Sequence, residues 1–250
     1  MLVLDTISQN PSLDGTVEDW EMSSMWHETA AQKDLKVIER KTRFPSLAMD
    51  SIISSPCLYV GNPLYKTPKT ICKAKADYEI SDLISMGDTY LPRSNYIPKN
   101  LDQFKHHLKK SSWDNTKSHV DYYRFAFRRR VNLNMERSFI GALIPKGMSH
   151  IHSIQSIAFK NIKDLLISNA LWQSLAYDFL CKAFARSDII KSVVTSLPWV
   201  DPGNTAKHRA LRLACLTTAY SELWNDQATS LSPLPWHSKD PRLSIDGPYQ

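Results

Sequence analysis

Residues 122–130, YYRFAFRRR, combine aromatic rings with arginines and are the strongest candidate for chemistry in the chain. From Tyr123 to Arg128, aromatic side chains alternate with basic or small ones, a period of two that is typical of a strand with one buried face. The run carries four arginines, Arg124, Arg128, Arg129 and Arg130. Guanidinium groups bind phosphates and base edges, so the pattern predicts that these arginines face a polyanion.

The positive charge of the chain is concentrated around this run. The whole chain has a formal net charge of +6. Residues 105–130 contain eight Lys and Arg against two Asp, and this excess of six accounts for the entire net charge. A protein that is otherwise neutral but carries one basic segment is typical of those with a polyanionic partner, and nucleic acid is one such partner.

Two loops are predicted to contact the same partner. The stretch 91–98, LPRSNYIP, holds three side chains on a backbone that proline stiffens, Arg93, Asn95 and Tyr96. Arginine makes bidentate contacts with guanine and asparagine with adenine, so this loop is predicted to read bases. The loop after Pro145 adds Lys146, His150 and His152. We expect these to contact the phosphate groups of a polyanionic partner, and in a nucleic acid such contacts position a protein without specifying sequence.

The sequence assigns no metal site and no catalytic residue. His150 and His152 are two positions apart in a loop without an acidic neighbour, which favours surface or phosphate-contacting histidines over metal ligands. No CxxC spacing occurs among the four cysteines, which indicates reduced thiols. The catalytic patterns GxSxG and HExxH and the Walker loop are also missing from the sequence.

One tetrapeptide, Asn62-Pro63-Leu64-Tyr65, is related to the Asn-Pro-Pro-Tyr motif of adenine N6-methyltransferases. In those enzymes the asparagine and a proline carbonyl hold the amino group, while the aromatic ring stacks on the flipped base. Here leucine takes the third position. The seven glycines of the chain are isolated and form no GxG, so S-adenosylmethionine has no evident cradle. Catalysis through this tetrapeptide is therefore an alternative hypothesis.

A sheet is needed to position the arginine run. A polar connection at 132–136 follows the run, and a second apolar run, FIGALI at 139–144, then ends at Pro145. Two strand-like runs separated by about five turn-prone residues predict a β-hairpin over Tyr122–Ile144. Shorter strands are predicted within residues 35–40 and 58–60.

Helices are predicted to flank the hairpin. Leu101, Phe104 and Leu108 fall on one face of a short helix within residues 101–110. Helical spacing also predicts a helix at 164–185 and another at 205–225. In the first of these, the residues that follow the helical spacing are expected in the core, namely Leu165, Trp172, Leu175, Phe179 and Ala183. The sequence therefore predicts an α+β fold, with a small twisted antiparallel sheet and flanking and C-terminal helices.

Composition indicates a globular chain, because 42% hydrophobic and 10% aromatic residues suffice for a core. We expect a loose lead-in at 1–19, one α+β domain at 20–226, and a Pro/Ser-rich tail at 227–250 that trails over the surface. The N-terminus lacks a basic leader, and no apolar run approaches the ~18 residues of a membrane span. A cytoplasmic protein without a membrane segment is expected.

Four segments carry a resemblance to a known family. They are GNPLYKTPK at 61–69, DTYLPRSNYIPK at 88–99, DYYRFAFRRRVNLNMERSFIGALIPKGMSHIHSI at 121–154, and LPWVDPGNTAKHRALRLACLTTAYSELW at 197–224. These segments resemble the C-terminal region of the Eco57I-like adenine-specific N6 DNA methyltransferases, including those of phage-defence systems such as DISARM. The resemblance covers about residues 20–224. Its most specific motifs are LPRSNYIP at 91–98 and ERSFIGALIPKG at 136–147.

The resemblance implies a target-recognition part without its catalytic half, because the cofactor domain and catalytic tetrapeptide of that family lie upstream of the matched region. Double-stranded DNA is the implied partner, and the chain alone is expected to bind no S-adenosylmethionine, the cofactor of the full-length enzymes. A protein-interaction module that binds a separate methyltransferase or another defence subunit is an alternative of a different class. Salt dependence of DNA binding distinguishes these two hypotheses, and cofactor binding tests the enzymatic one.

Overall fold

The computed structural model describes residues 2–184 and 187–231. Its strands are β1 (Trp20–Ser23), β2 (Ile38–Glu39), β3 (Ile52–Ile53), β4 (Lys66–Pro68), β5 (Tyr78–Ile80), β6 (Ile97–Pro98), β7 (Lys110–Ser111), β8 (Asp114–Ser118), β9 (Arg124–Arg128), β10 (Gly141–Ile144), β11 (Ser149–His150) and β12 (Ile154–Phe159). Its α-helices are α1 (Leu2–Ser8), α2 (Leu101–His106), α3 (Ile162–Leu171), α4 (Leu175–Phe184), α5 (Lys191–Thr195), α6 (Asn204–Ala214) and α7 (Ser221–Gln227). A π-helical turn occupies Ala30–Asp34. Small, mainly antiparallel sheets combined with helices confirm the predicted α+β class.

The central sheet has four antiparallel strands in the order β1-β12-β9-β10. Pairing of β9 with β10, with Phe127 opposite Gly141 and Phe125 opposite Leu143, confirms the predicted hairpin. The first residue of β10, Gly141, must be a glycine. A Cβ atom at this position would lie only 2.6 Å from the ring of Phe125, which is too close for a van der Waals contact. The hairpin places the arginine run in the second-to-last strand of this sheet.

Aromatic packing fills one face of the sheet. Phe125 and Phe127 of β9 are fully buried, and Phe139 lies between them with ring centroids 6.1 and 5.3 Å away. Trp172, at the end of α3, packs edge-on against Phe125 at 5.2 Å. Burial of side chains this large contributes about 1.5–3 kcal/mol each, so this aromatic cluster is a major source of stability.

The opposite face of β9 is buried as well. Ala126 joins Ile144 and Ile154 in a second cluster, which the loop residues Leu58 and Cys57 cover. The prediction of a strand with one buried face is therefore wrong. A strand buried on both faces has no solvent side on which to place its charged residues.

The predicted loose lead-in is also wrong. Leu2–Ser8 form α1, and Leu13 is fully buried in the main core. The N–H of Leu13 donates a 2.9 Å hydrogen bond to the carbonyl of Leu197, and that of Trp199 donates to Pro11. The N-terminal segment is thus tied to the C-terminal helical region and belongs to the same core.

Each of the two predicted C-terminal helices is divided into two shorter helices. The first ends at Leu171 and resumes at Leu175, where the Ser174 hydroxyl accepts a hydrogen bond from Tyr177 N–H and starts α4. Leu175 and Phe179 were predicted as core and are exposed instead, by 72% and 55%. The second predicted helix ends at Ala214, and α7 begins only at Ser221.

Three shorter predictions have mixed outcomes. The strand within 35–40 is confirmed as β2, which pairs with β6, and the helix within 101–110 is confirmed as α2. The strand at 58–60 is wrong, because Tyr59 and Asn62 exchange main-chain hydrogen bonds in a tight turn. The predicted Pro/Ser-rich tail falls, from residue 232 onward, outside the described residues. In the described ranges, every helix is too short or too polar to cross a membrane.

Candidate nucleic-acid interface

Arg124 lies inside the protein rather than on a basic surface. Its side chain is fully buried, and its guanidinium donates hydrogen bonds to the carbonyl oxygens of Met148 and Tyr122 and to the sulfur of Met25. Desolvation lowers the pKa of Arg124 to about 9. The expectation that Arg124 faces a polyanion is wrong, because its donors are used internally.

Arg128 is half-buried at the end of β9. Its Nε and Nη2 atoms donate to the carbonyl oxygen of Leu58 at 3.1 and 2.6 Å, which holds the loop after Cys57 against the sheet. Desolvation lowers the pKa of Arg128 from its usual value. The remainder of its guanidinium lines a cavity, so Arg128 has both a structural contact and an open side.

Arg129 and Arg130 share one carboxylate. Asp188 lies 3.1 Å from Nη2 of Arg129 and 3.8 Å from Nε of Arg130. The side chain of Arg130 is 87% exposed, so water screens its ion pair and leaves the pair worth little. Among the four arginines of the run, Arg130 has the most exposed side chain.

Most residues of the loop after Pro145 are buried. His150 is fully buried, so the prediction that it contacts the DNA backbone is wrong. His152 stacks on His27 with ring centroids 4.7 Å apart and remains partly exposed. Lys146 is partly exposed and forms a 2.5 Å ion pair with Glu222.

A hydrogen-bond relay fixes two of the buried histidines, His119 and His150. Nδ1 of His150 lies 3.1 Å from the carbonyl of Ile151 and so carries the proton, which leaves Nε2 to accept from the Ser156 hydroxyl at 2.7 Å. That hydroxyl has one proton, so the 3.2 Å contact with His119 Nε2 requires His119 to donate. Burial lowers the pKa of His150 to about 3 and that of His119 well below its usual value. Both rings are therefore neutral and structural.

The loop 91–98 is held rigidly. The Ser94 hydroxyl lies 2.7 Å from the carbonyl oxygen of Ile52 and 2.6 Å from that of Tyr96, and its single proton is donated to one of them. The same hydroxyl accepts a hydrogen bond from Ile52 N–H. Arg93 donates to the carbonyl of Pro68 at 2.7 Å and lies 4.6 Å over the ring of Phe44. Only 16% of the Arg93 side chain is exposed, so its guanidinium is largely engaged by the protein itself.

Asn95 and Tyr96 are buried at the wall of a cavity. Tyr96 donates a short hydrogen bond from its hydroxyl to Oε1 of Glu28, and burial raises the pKa of Tyr96. Oδ1 of Asn95 accepts from the Thr42 hydroxyl at 2.7 Å. This bond directs the amide nitrogen of Asn95 away from Thr42, and that nitrogen donates to no residue in the described ranges.

Positively charged side chains line two adjoining cavities. The arginine cavity, of about 440 Å³, is lined by Arg128, Arg130 and Arg137. The tyrosine cavity, of about 260 Å³, is lined by Tyr78, Tyr96, Asn95, Glu28, Arg40 and Lys73 among others. Ser55, Lys75 and Ser153 line both cavities, and the two cavities together form the basic cleft. Among the described lining residues, six cations face one carboxylate, that of Glu28.

Lys73 and Lys75 are cleft residues that sequence reasoning missed. Both are exposed, and neither side chain makes a hydrogen bond or ion pair with another residue in the part of the chain that the structure describes. Arg40 Nη2 donates to the carbonyls of Cys72 and Lys73, and Asp77 accepts from the N–H groups of Lys73 and Ala74. The alternating lysines of KTICKAK at 69–75 were the signal in the sequence that could have identified them.

The tetrapeptide Asn62–Tyr65 forms a turn rather than a cleft wall. Oδ1 of Asn62 accepts a 2.8 Å hydrogen bond from Leu64 N–H, and Pro63 and Leu64 are buried. Tyr65 packs against Tyr59, with ring centroids 4.8 Å apart. Asn62 lines a separate, largely apolar cavity beside α3 and α6. The asparagine oxygen that the adenine-binding motif would use is already occupied.

The described residues contain no cluster of three or more His, Cys, Asp or Glu able to hold a metal ion. All four cysteines are free and buried, and burial raises the pKa of Cys57 to about 11. Thiols in this protonated state are poor nucleophiles. The positively charged side chains that line the cleft are the groups in it that can bind an anion.

Comparison of the sequence with protein-family models finds no matching family, and comparison with curated proteins finds no significant relative.

Proposed function

We propose that the protein binds double-stranded DNA through the basic cleft. It acts as the target-recognition part of an adenine-N6 DNA methyltransferase, and this chain has no catalytic activity of its own. The observation that carries the proposal is the clustering of six cations, with one carboxylate, around two adjoining cavities. Phosphates neutralised by Lys and Arg release counterions, and this release drives association with DNA. The cleft replaces the buried strand as the proposed binding surface.

The assignment to a methyltransferase system is supported by where the two most specific motifs lie. Asn95 and Tyr96 of the 91–98 motif line the tyrosine cavity. Arg137, Ser138 and Ile140 of the 136–147 motif line the arginine cavity. In this proposal Arg130, Lys73 and Lys75 contact phosphates, and Asn95 lies within reach of a base. The proposed location is the cytoplasm, and a separate methyltransferase subunit supplies S-adenosylmethionine and catalysis.

The testing experiment is a titration of fluorescent duplex DNA at several salt concentrations. About five neutralised phosphates give a slope of log K against log salt between about −4 and −5. Binding that is absent at low salt, or that does not respond to salt, contradicts the proposal.

A protein-interaction module is the second candidate, and α4 favours it. Leu175, Phe179 and Phe184 are 72%, 55% and 49% exposed, and the first two are one helical turn apart. Exposed apolar side chains that are grouped in this way are typical of protein interfaces. The double substitution of Leu175 and Phe179 to Ser would abolish assembly with a partner subunit, and it would leave DNA binding by the cleft unchanged.

A further inference from the structure

The tyrosine cavity has two rigid walls with different chemistry. One wall carries Asn95, whose loop is fixed by Ser94, and Tyr96, whose hydroxyl is bonded to Glu28. The other wall is the segment of Lys73 and Lys75, which Arg40 and Asp77 hold by hydrogen bonds to its main chain. The structure therefore places hydrogen-bonding groups and free cations in the lining of the same cavity.

Unused hydrogen-bonding groups mark the first wall as a binding site. Asn95 is 6% exposed and lines the cavity, and its amide nitrogen donates no hydrogen bond to another residue in the described ranges. Glu28 uses Oε1 for Tyr96, while its Oε2 lies 3.9 Å from Nδ1 of the weakly basic His152. A third of the Glu28 side chain remains exposed. An amide donor and a carboxylate acceptor are thus open to a ligand.

The lining also fits a flat, partly apolar ligand. Tyr78, Pro56 and Ile151 contribute apolar surface to the cavity, and the Tyr78 hydroxyl is bonded to Ser54 at 2.5 Å. Aromatic and apolar side chains stack on nucleobases, and unpaired bases are recognised by hydrogen bonds to their Watson–Crick edge. A cavity of about 260 Å³ with cations at one side suits a nucleotide whose phosphate reaches Lys73 and Lys75.

The Watson–Crick edges of the four bases differ in how they match this wall. Guanine presents two adjacent donors, N1–H and N2–H, beside the acceptor O6. A carboxylate accepts from both donors while an amide N–H donates to O6. Adenine and cytosine each place a ring acceptor next to a single amino group, and that acceptor would face the negative charge of Glu28. Uracil and thymine have one N–H between two carbonyl oxygens, which leaves one oxygen facing the carboxylate.

We propose that the tyrosine cavity binds an unpaired guanine nucleotide, with the base on Glu28 and Asn95 and the phosphate on Lys73 and Lys75. The proposal rests on the proposed nucleic-acid binding by the cleft, and it adds a base-specific site to it. The ligand is either a free guanosine monophosphate or a guanine in an unpaired stretch of DNA. Guanine in a regular duplex uses the same edge for cytosine and does not enter the cavity.

Calorimetry of the full chain with the four ribonucleoside monophosphates tests the base assignment. Guanosine monophosphate is expected to bind at least about 10-fold more tightly than the other three, since each well-placed hydrogen-bond pair discriminates by about that factor. In Glu28→Gln this preference falls to near unity. In Lys75→Ala the affinity for the monophosphate falls, whereas that for guanosine stays the same. Equal binding of all four nucleotides, or a preference unchanged in Glu28→Gln, overturns the proposal.

A second measurement distinguishes the two sources of the ligand. A thymidine oligonucleotide with one central guanine is compared with the all-thymidine oligonucleotide at the same salt concentration. Tighter binding of the guanine-containing strand assigns the site to DNA, whereas equal binding together with a selective response to the free monophosphate assigns it to the mononucleotide. Thermal melting verifies that Glu28→Gln and Lys75→Ala are folded. Salt-dependent duplex binding without guanine preference refutes this site alone, and failure of duplex binding refutes the proposed function.

Discussion

The guanidinium of Arg124 donates a hydrogen bond to the main-chain carbonyl of Met148, and no part of the arginine is exposed to solvent. The same group bonds to the carbonyl of Tyr122 and to the sulfur of Met25. Arg124 therefore links β9 to the segments on both sides of it. Its acceptors are neutral, so the charge stays desolvated and the pKa is lowered to about 9. This arginine stabilises the fold, although its sequence context predicted a DNA contact.

We predict that Arg124→Ala lowers the free energy of unfolding by about 3 kcal/mol, because it creates a cavity and leaves buried carbonyls without donors. Arg124→Met should cost less than half as much, since it refills the volume and removes the buried charge. Urea denaturation of the two variants and the wild type measures both effects. An Arg124→Ala protein as stable as the wild type would show that the internal hydrogen bonds contribute nothing.

The buried histidines predict a loss of stability in acid. The pKa of His150 is about 3 in the folded state, and that of His119 is also lowered, whereas both return to about 6.5 on unfolding. As pH falls below 6.5, the unfolded state takes up protons first, so the free energy of unfolding decreases. Arg124 faces both rings, and Lys109 also faces His119, and these positive charges oppose protonation in the folded state.

For His150 the expected loss is about 2 kcal/mol between pH 7.5 and pH 5, at about 1.4 kcal/mol per pH unit below 6.5. His119 adds a loss in the same direction. Denaturation curves at these two pH values measure it. His150→Asn should reduce this loss by about 2 kcal/mol, whatever its effect at pH 7.5. His106→Asn, at an exposed position of α2, is the control and should retain the full dependence. Equal pH dependence in all three proteins would refute the assignment.

Asp178 connects α4 to the hairpin. It accepts hydrogen bonds from the N–H groups of Ser138 and Phe139 at 2.8 and 2.6 Å, and it lies 3.3 Å from Nε of Arg137. We predict that Asp178→Ala destabilises the protein by about 3 kcal/mol, because it leaves two buried donors and a largely buried arginine without their acceptor. Asp226→Ala, at an exposed position of α7, should change the melting temperature little. Similar melting temperatures for the two variants would contradict this role.

We predict that the isolated chain binds no S-adenosylmethionine and does not methylate DNA. The seven glycines form no cofactor loop, and the Asn62 oxygen is used in a turn. Calorimetry with the cofactor is the direct measurement, with Asn62→Ala as the comparison. Saturable micromolar binding by the wild type that is lost in Asn62→Ala would instead favour the enzymatic alternative.

Local patterns predicted the hairpin well, because alternation and the polar connection are encoded within about 25 residues. They did not predict that β12 and β1 complete the sheet, since β12 is an almost unbroken buried run and β1 has only four residues. The burial of Arg124 was missed for the same reason. Alternation marks two faces but does not identify what covers each of them, and here the loop around Leu58 covers the second face.

Helix boundaries were missed where neither glycine nor proline marks them. The break between α3 and α4 has the sequence Trp172-Gln173-Ser174, and it forms because tertiary contacts of Trp172 and Asp178 fix each helix separately. The cleft was predicted only in part. Asn95, Tyr96, Arg128 and Arg130 were identified, but Lys73, Lys75 and Arg40 come from distant stretches that the fold brings together.

The central claim is that the basic cleft binds duplex DNA. The most direct test measures how this binding depends on salt concentration in the double variant Lys73→Ala/Lys75→Ala and in a matched control variant. The control is Lys163→Ala/Lys191→Ala, two exposed lysines of α3 and α5 that line neither cavity of the cleft. The cleft variant should bind all duplexes more weakly, and its salt slope should be less steep by about two, one for each lost phosphate contact. The control should keep the wild-type slope. Equal slopes for the two variants would contradict DNA binding by the basic cleft.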